Sequence, residues 1–265
     1  MCGRFSVTVK PDQLKFFIDL ALANAEPVPL MVHDSGPPGP RYNVVPTNPI
    51  SIVHIEDGSL HMRTVHWWIL PPYATKDVEF RRGPTGHKTF RWKGPRKSHF
   101  NSRLDTIADP KRRYWHQLLK TKRCIIPADG FMEWPAEELL PKGAEKRPNY
   151  FRFTDHRMYF FAGLWERAKD DEGGDFYSAN IITVEPNELL SALPHHRMPA
   201  ILPPDALATW LNPDSALNDV LSCLVTTPAT AMTGHPIANH VNFAQNDFPE
   251  CISPVVPQPP QTLFE

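Results

Sequence analysis

The sequence predicts an α+β fold: a single compact domain with a β-barrel-like core flanked by short helices. Three observations carry this. Apolar runs rich in β-branched and aromatic residues crowd the segment from Arg123 to Val184, the composition of strands. Helical spacing of apolar residues appears only in short stretches on either side. Thirty prolines in 265 residues interrupt the chain too often for long helices. Hydrophobic residues at 41% and charged residues at 22% lie near the globular average, so the chain can bury its own core. The domain is expected to span residues 2–253, and the proline-rich 254–265 to be a frayed tail.

In chain order, Leu14, Phe17, Ile18, Ala21 and Leu22 recur at helical spacing and predict an amphipathic helix behind Pro11. Residues 25–41 are proline and glycine punctuation and read as a surface loop. The runs 50–55 and 60–70 flank Glu56-Asp57-Gly58-Ser59 and predict a β-hairpin. Between 74 and 99, Lys76, Arg81, Arg82, Lys88, Arg91, Lys93, Arg96 and Lys97 are interleaved with Phe80, Phe90 and Trp92, a basic aromatic loop. Asp109 as N-cap and Pro110 as first residue open a helix through 111–120. Strands follow at 123–134, 150–154, 157–166 and 176–184. Short helices follow at 186–193 and 203–211, with a third beginning after Asn212.

Composition narrows the function. A net charge of −1 gives no molecule-wide attraction for nucleic acid, so any contact with it must be a local patch. No apolar run approaches the roughly 18 residues of a membrane span. The four cysteines, Cys2, Cys124, Cys223 and Cys251, form no C-x-x-C pair and no secretory signal precedes them. Free thiols in an intracellular protein, nuclear or cytoplasmic and not secreted, are therefore expected. Cys124, Cys223, His235 and His240 lack the spacing of a structural zinc site, so neither a metal nor a cofactor is expected.

Four clusters carry chemistry. Removal of Met1 ahead of a small residue would make Cys2 an N-terminus with an amine and a thiol on adjacent carbons. An α-amine titrates near ~7.7–8.0 and a thiol near ~8.5, so both keep a reactive fraction at neutral pH. Together they convert an aldehyde into an imine and then a thiazolidine. Glu133 lies between Met132 and Trp134 after the Asp129-Gly130 turn, where strand alternation can aim it inward as an acid or base. In His195-His196-Arg197 at most one histidine can face a pocket, and it would shuttle protons. Asn101-Ser102-Arg103 offers an amide to fix a nucleophile and a guanidinium for phosphate, joined by Arg4 and Arg41. Trp67, Trp68 and Trp92 are candidates to stack unpaired bases, although Trp67 and Trp68 lie in an apolar strand that also suits the core.

MCGRF at 1–5, RYNVVP at 41–46, NSRLDT at 101–106, RCIIPADGFMEW at 123–134, FAGLWE at 161–166, HHRMPAIL at 195–202 and HPIANHVNFAQND at 235–247 stand in collinear order. This series resembles the SOS response-associated peptidase family, also called abasic-site processing proteins, over nearly the whole chain. The resemblance implies a monomeric sensor of abasic sites in single-stranded DNA. In it Cys2 captures the ring-opened sugar as a thiazolidine crosslink that protects the lesion, with lyase and autoprocessing peptidase activity attached. It implies catalytic roles for Cys2, Asn101, Glu133 and His195, and DNA contacts for Arg4, Arg41, Asn43, Trp67, Trp68, Arg103 and Arg197. Trp68, Asp105 and Met132 stand where the family usually has glycine, glutamate and tyrosine. Two other readings fit the residues: a thiol protease or N-terminal-nucleophile hydrolase using Cys2 and His195, and a noncatalytic single-stranded DNA-binding module.

Overall fold

The computed structural model describes residues 2–10, 13, 14, 18, 30–33, 39–83, 86–94, 99–136, 146–193 and 195–255. Its first strands are β1 (Arg4–Val7), β2 (Leu30–Val32), β3 (Arg41–Val44), β4 (Pro49–Glu56), β5 (Ser59–Trp67), β6 (Val78–Arg82), β7 (Lys88–Trp92) and β8 (Asn101–Arg103). Helices α1 (Leu104–Ala108) and α2 (Arg113–Thr121) follow. The strands resume as β9 (Arg123–Ala128), β10 (Gly130–Glu133), β11 (Asn149–Phe153), β12 (Tyr159–Lys169) and β13 (Asp175–Val184). Then come α3 (Glu188–Ala192), β14 (Met198–Pro199), β15 (Ile201–Leu202), α4 (Leu207–Leu211), α5 (Leu217–Ser222) and β16 (Met232–Pro236).

Five strands close a barrel. β4 pairs with β5, β13 with β12, β12 with β9 and β9 with β4, all antiparallel. A parallel pairing of β13 with β5, Ser178 opposite His66 and Ala179 opposite Trp67, completes the ring. The β4–β5 hairpin turns through Asp57 (φ 51°) and Gly58 (φ 73°), the two left-handed residues that match the twist of a hairpin. A second sheet, ordered β16-β11-β10-β1-β3, packs on the barrel. Phe5 and Phe131 from this sheet meet Trp67 and Phe161 of the barrel edge-on, at centroid distances of 5.1, 5.8 and 6.2 Å for Phe5–Trp67, Phe5–Phe161 and Phe131–Phe161. Each such ring contributes about 1.5–3 kcal/mol by burial, and the four fix the two sheets' relative position.

Asp129 is the corner where the chain leaves the barrel and enters the second sheet. Its carboxylate accepts hydrogen bonds from Ser6 Oγ (2.5 Å), Thr8 N (2.5 Å) and Thr8 Oγ1 (2.6 Å). A Cβ on Gly130 would lie 2.0 Å from the Tyr150 hydroxyl, so only glycine lets that ring cross here. The corner therefore aims β10, and with it Glu133, back toward the start of the chain.

The structure departs from the sequence expectations in places. The segment 74–99 is not only loop: a 3-10 helix, Pro72–Asp77, leads into the β6–β7 hairpin. Val78, Phe80, Phe90 and Trp92 give that hairpin an apolar side packed on Trp68, Leu70 and Phe176. Within 25–41, Leu30–Val32 pairs in parallel with β5. Asp109 and Pro110 do not open α2; Asp109 Oδ1 accepts from Lys111 N at 2.9 Å in a local turn, and the helix begins at Arg113. Of the N-terminal helix, Leu14 and Ile18 are helical and buried, while Phe17, Ala21 and Leu22 lie outside the described residues, as do Met1 and tail positions 256–265. Among the described residues no helix is long and apolar enough to cross a membrane.

Two buried histidines set a pH dependence. Burial lowers His54 to about 3, helped by the charge of Arg63, and burial beside His87 lowers His66 to about 3. The unfolded chain takes up a proton at each near pH 6.5 whereas the folded chain does not until about 3, so stability falls as pH drops through this window. We expect a loss on the order of 1 kcal/mol per pH unit for each histidine, and urea titrations of a His54→Leu/His66→Phe double variant should show the slope flattened.

Candidate active site

The site forms where three separate strands reach the beginning of the chain. β1 runs antiparallel to β10 with Arg4 opposite Met132, which brings Glu133 alongside the residues preceding β1. Asn101 opens β8, held in parallel register by Ile181 of β13. Its Nδ2 donates to the Cys2 carbonyl oxygen at 2.8 Å, fixing the backbone of Cys2. Its Oδ1 is buried and has no hydrogen-bond partner among the described residues, an acceptor left over inside the site.

Cys2 is fully buried. Burial raises its thiol well above the ordinary range, and the Glu133 carboxylate raises it further. Both effects favour S–H over thiolate, and the sulfur lies 3.7 Å from the Arg4 carbonyl oxygen, to which it donates. Glu133 itself is 1% exposed.

His195 completes the group. Its Nδ1 lies 2.8 Å from the Trp134 carbonyl oxygen and its Nε2 3.1 Å from Glu133 Oε2. A carbonyl only accepts, so Nδ1 carries a hydrogen. The Nε2 contact then needs one more proton between two acceptors, giving either imidazolium with carboxylate or imidazole with carboxylic acid. The pair is thus a one-proton store beside Cys2. His196, its chain neighbour, is exposed.

The residues expected to contact DNA divide. Arg4 lies over the Trp134 ring at 5.7 Å and donates to Asn43 Oδ1 (2.9 Å) and the Asn242 carbonyl (3.1 Å). It has no carboxylate partner among the described residues, and partial burial lowers its pKa. Arg41 pairs with Asp247, the exposed Arg103 with Asp105 through contacts of 3.1 and 2.5 Å, and the buried Arg197 with Glu185. Three expected positions need correction. Trp67 has no exposed surface and donates its indole N–H to the Phe100 carbonyl at 2.9 Å; Trp68 is buried against Phe100. Neither presents a face to a base, because Trp67 lies in the barrel wall and Trp68, just past the end of β5, is covered by the β6–β7 hairpin. Asn43 is also fully buried, its Nδ2 donating to the carbonyls of Phe243 (3.2 Å) and Asn246 (2.7 Å). It supports Arg4 and cannot reach a ligand directly.

Trp134, Asn242 and Asp247 were not singled out by sequence reasoning. Trp134 Nε1 donates to Asn242 Oδ1 at 3.1 Å, closing a rim of Trp134, Arg4 and Asn242. Asp247 accepts from the backbone of Tyr42 (2.5 Å) and Asn43 (3.0 Å) besides pairing with Arg41, so it pins β3 beneath Arg4. Its only sequence signal was membership of the 235–247 motif. An Asp247→Ala variant is expected to lose about 1.5–3 kcal/mol, read as a lower urea midpoint.

Cys124 faces Gly163 in the barrel wall, Cys223 donates to the Asp219 carbonyl at 3.2 Å, and the His235 ring meets the Ile252 carbonyl at 3.0 Å. Among the described residues no three His, Cys, Asp or Glu side chains are grouped to hold a metal.

The family model described as SOS response associated peptidase matches residues 1–244. The abasic site processing protein YoqW of Bacillus subtilis is 34% identical over 256 residues, covering 95% of this chain and 99% of that one. The abasic site processing protein HMCES of Gallus gallus is 34% identical over 175 residues, 58% of this chain and 50% of that one. Among solved structures, a protein from Bacteroides thetaiotaomicron superposes with a TM-score of 0.68 at 23% identity, covering 96% of this chain and 100% of that one, which supports the fold.

Proposed function

Because the chain belongs to the SOS response associated peptidase family, we propose that it processes abasic sites in DNA, and that it does so by capturing the lesion covalently through Cys2. The observation that carries this reading is the placement of Cys2: Asn101 grips its carbonyl while the Glu133–His195 proton store lies beside it. All four side chains come from one chain, so the reaction needs no second copy.

In this reading Met1 is removed and Cys2 presents its α-amine. An amine titrating near ~8 is partly free base at neutral pH, whereas the buried thiol is held protonated, so nitrogen attacks first. The ring-opened sugar of a single-stranded abasic site supplies an aldehyde. The C–N bond forms, the proton store protonates the carbinol oxygen, and water departs to leave an imine. The S–H then adds across the C=N bond: sulfur bonds to carbon, the proton passes to nitrogen, and a thiazolidine links protein to DNA. Arg4 and the Trp134 rim lie beside this point as the first phosphate and base contacts. The imine also permits β-elimination of the 3′ phosphate, which is a lyase activity. Peptidase action would be confined to removal of Met1.

The burial of the thiol weighs against the thiol protease reading, since that chemistry needs a thiolate of lowered pKa. The experiment is incubation with an abasic single-stranded oligonucleotide followed by a denaturing gel. Wild type should give a shifted band and Cys2→Ser none. A protein whose α-amine is blocked but whose thiol is intact should also give none; a band there would refute amine capture.

A further inference from the structure

The β6–β7 hairpin carries charge that the fold does not use. Arg81, paired with Glu79, and Lys88 are exceptions: the Lys88 ammonium contacts Asp170 (2.6 Å), Asp171 (3.3 Å) and Glu172 (3.0 Å), fastening the hairpin to the β12–β13 turn. Its apolar side is buried on Trp68, Leu70 and Phe176, which steadies a two-stranded ribbon that would be marginal alone. Lys76, Arg82 and Arg91, all exposed, have no ion-pair partner among the described residues. Lys93 Nζ donates to the Lys76 carbonyl at 3.2 Å, bringing two ammonium-bearing chains to one edge. Glu79 sits opposite Arg91 and bonds Arg81 at 2.9 Å; that bond and the charges of Arg81, Arg91 and Lys93 hold its carboxyl below the usual range. Two carboxylates, Asp77 and Glu79, thus stand beside four cations, Lys76, Arg81, Arg91 and Lys93.

Tyr73 stands in the same 3-10 helix as Lys76. It is 60% exposed, and its ring is held edge-to-face against Tyr114 at 5.4 Å. A large aromatic left in water beside unpaired cations adds little to folding, but it is the combination that binds single-stranded nucleic acid: cations follow the phosphates and a ring takes a base face. The hairpin is also tied to the site. Trp92 meets His99 edge-on at 6.1 Å, Phe100 packs on Trp67 and Trp68, and the next residue is Asn101, which holds Cys2.

We propose that Tyr73, Lys76, Arg91 and Lys93 form a second binding surface, for the undamaged single strand flanking the lesion. This deepens, and rests on, the reading that abasic DNA is the substrate. The surface takes backbone phosphates and one unpaired base and is indifferent to sequence.

The test uses the full chain with Tyr73→Ala, Tyr73→Phe and the triple variant Lys76→Glu/Arg91→Glu/Lys93→Glu. Fluorescence anisotropy reads affinity for an undamaged oligo-dT 20-mer across salt concentrations, and crosslinking rates are measured on an abasic trimer and an abasic 20-mer. Tyr73→Ala should weaken 20-mer binding at least about fivefold, with Tyr73→Phe unchanged. The triple variant should reduce the slope of log affinity against log salt by about 2, near 0.7 for each lost single-strand contact. Trimer crosslinking should keep the wild-type rate in all three variants. Unchanged 20-mer affinity and slope would overturn the proposal, as would a loss from Tyr73→Ala that is equal on a blunt duplex, which offers phosphates but no open base faces. An equal loss on the trimer would also overturn it, by showing an effect on the site itself. Failure of the Cys2 reading is separable: no substrate would crosslink, yet the 20-mer affinities remain measurable.

Discussion

A Cys2→Ala variant is expected to form no complex with abasic DNA that survives denaturation, a loss on the order of 10³-fold or more in crosslinking rate, as removal of a covalent nucleophile gives. The variant keeps an α-amine, so an imine can still form and reverse; what it lacks is the S–H that closes the ring. Borohydride should therefore trap a reduced adduct with Cys2→Ala that untreated samples do not show. Folding is not at issue: truncating one buried thiol costs about 1 kcal/mol, and a thermal melt checks it. A stable untreated band from Cys2→Ala would shift the reaction to a lysine and remove Cys2 from the mechanism.

Glu133→Gln is expected to slow crosslinking by about 10²–10⁴-fold, the usual contribution of positioned proton transfer. Glutamine preserves the volume and the contact with His195, but an amide N–H replaces the mobile proton at Nε2. The same change removes a negative charge that raises the Cys2 thiol, so the thiol should titrate lower. Two opposite signs follow from one substitution: a slower reaction and a more acidic sulfur. Ultraviolet titration of the thiolate reads the second independently of DNA. If the rate falls while the thiol does not move, Glu133 acts through structure alone; if the rate is unchanged, the proton store is not part of the chemistry.

The barrel strands were legible because their apolar runs are long and their turns conventional: Asp57-Gly58 announces its hairpin, and 176–184 reads as a strand without context. The β6–β7 hairpin was not, because its alternation of Val78, Phe80, Phe90 and Trp92 is obscured by the basic residues between them. The parallel pairing of β8 with β13 was also hidden, since a three-residue strand has no periodicity to detect. At the site, Glu133 could be named from residue type and position, whereas His195 rather than His196 came from the resemblance, and the contact of its Nδ1 with the Trp134 carbonyl is one that no pattern reveals. The tryptophans at 67 and 68 show the reverse: aromatic residues suggest stacking, and only burial decides between a base and a core.

The most direct measurement is mass spectrometry of the peptide that carries the DNA adduct after nuclease and protease digestion. The account predicts a peptide beginning at Cys2, without Met1, with the sugar joined through its nitrogen and sulfur with loss of one water. An adduct on a lysine, or a crosslinked peptide that still bears Met1, would contradict it.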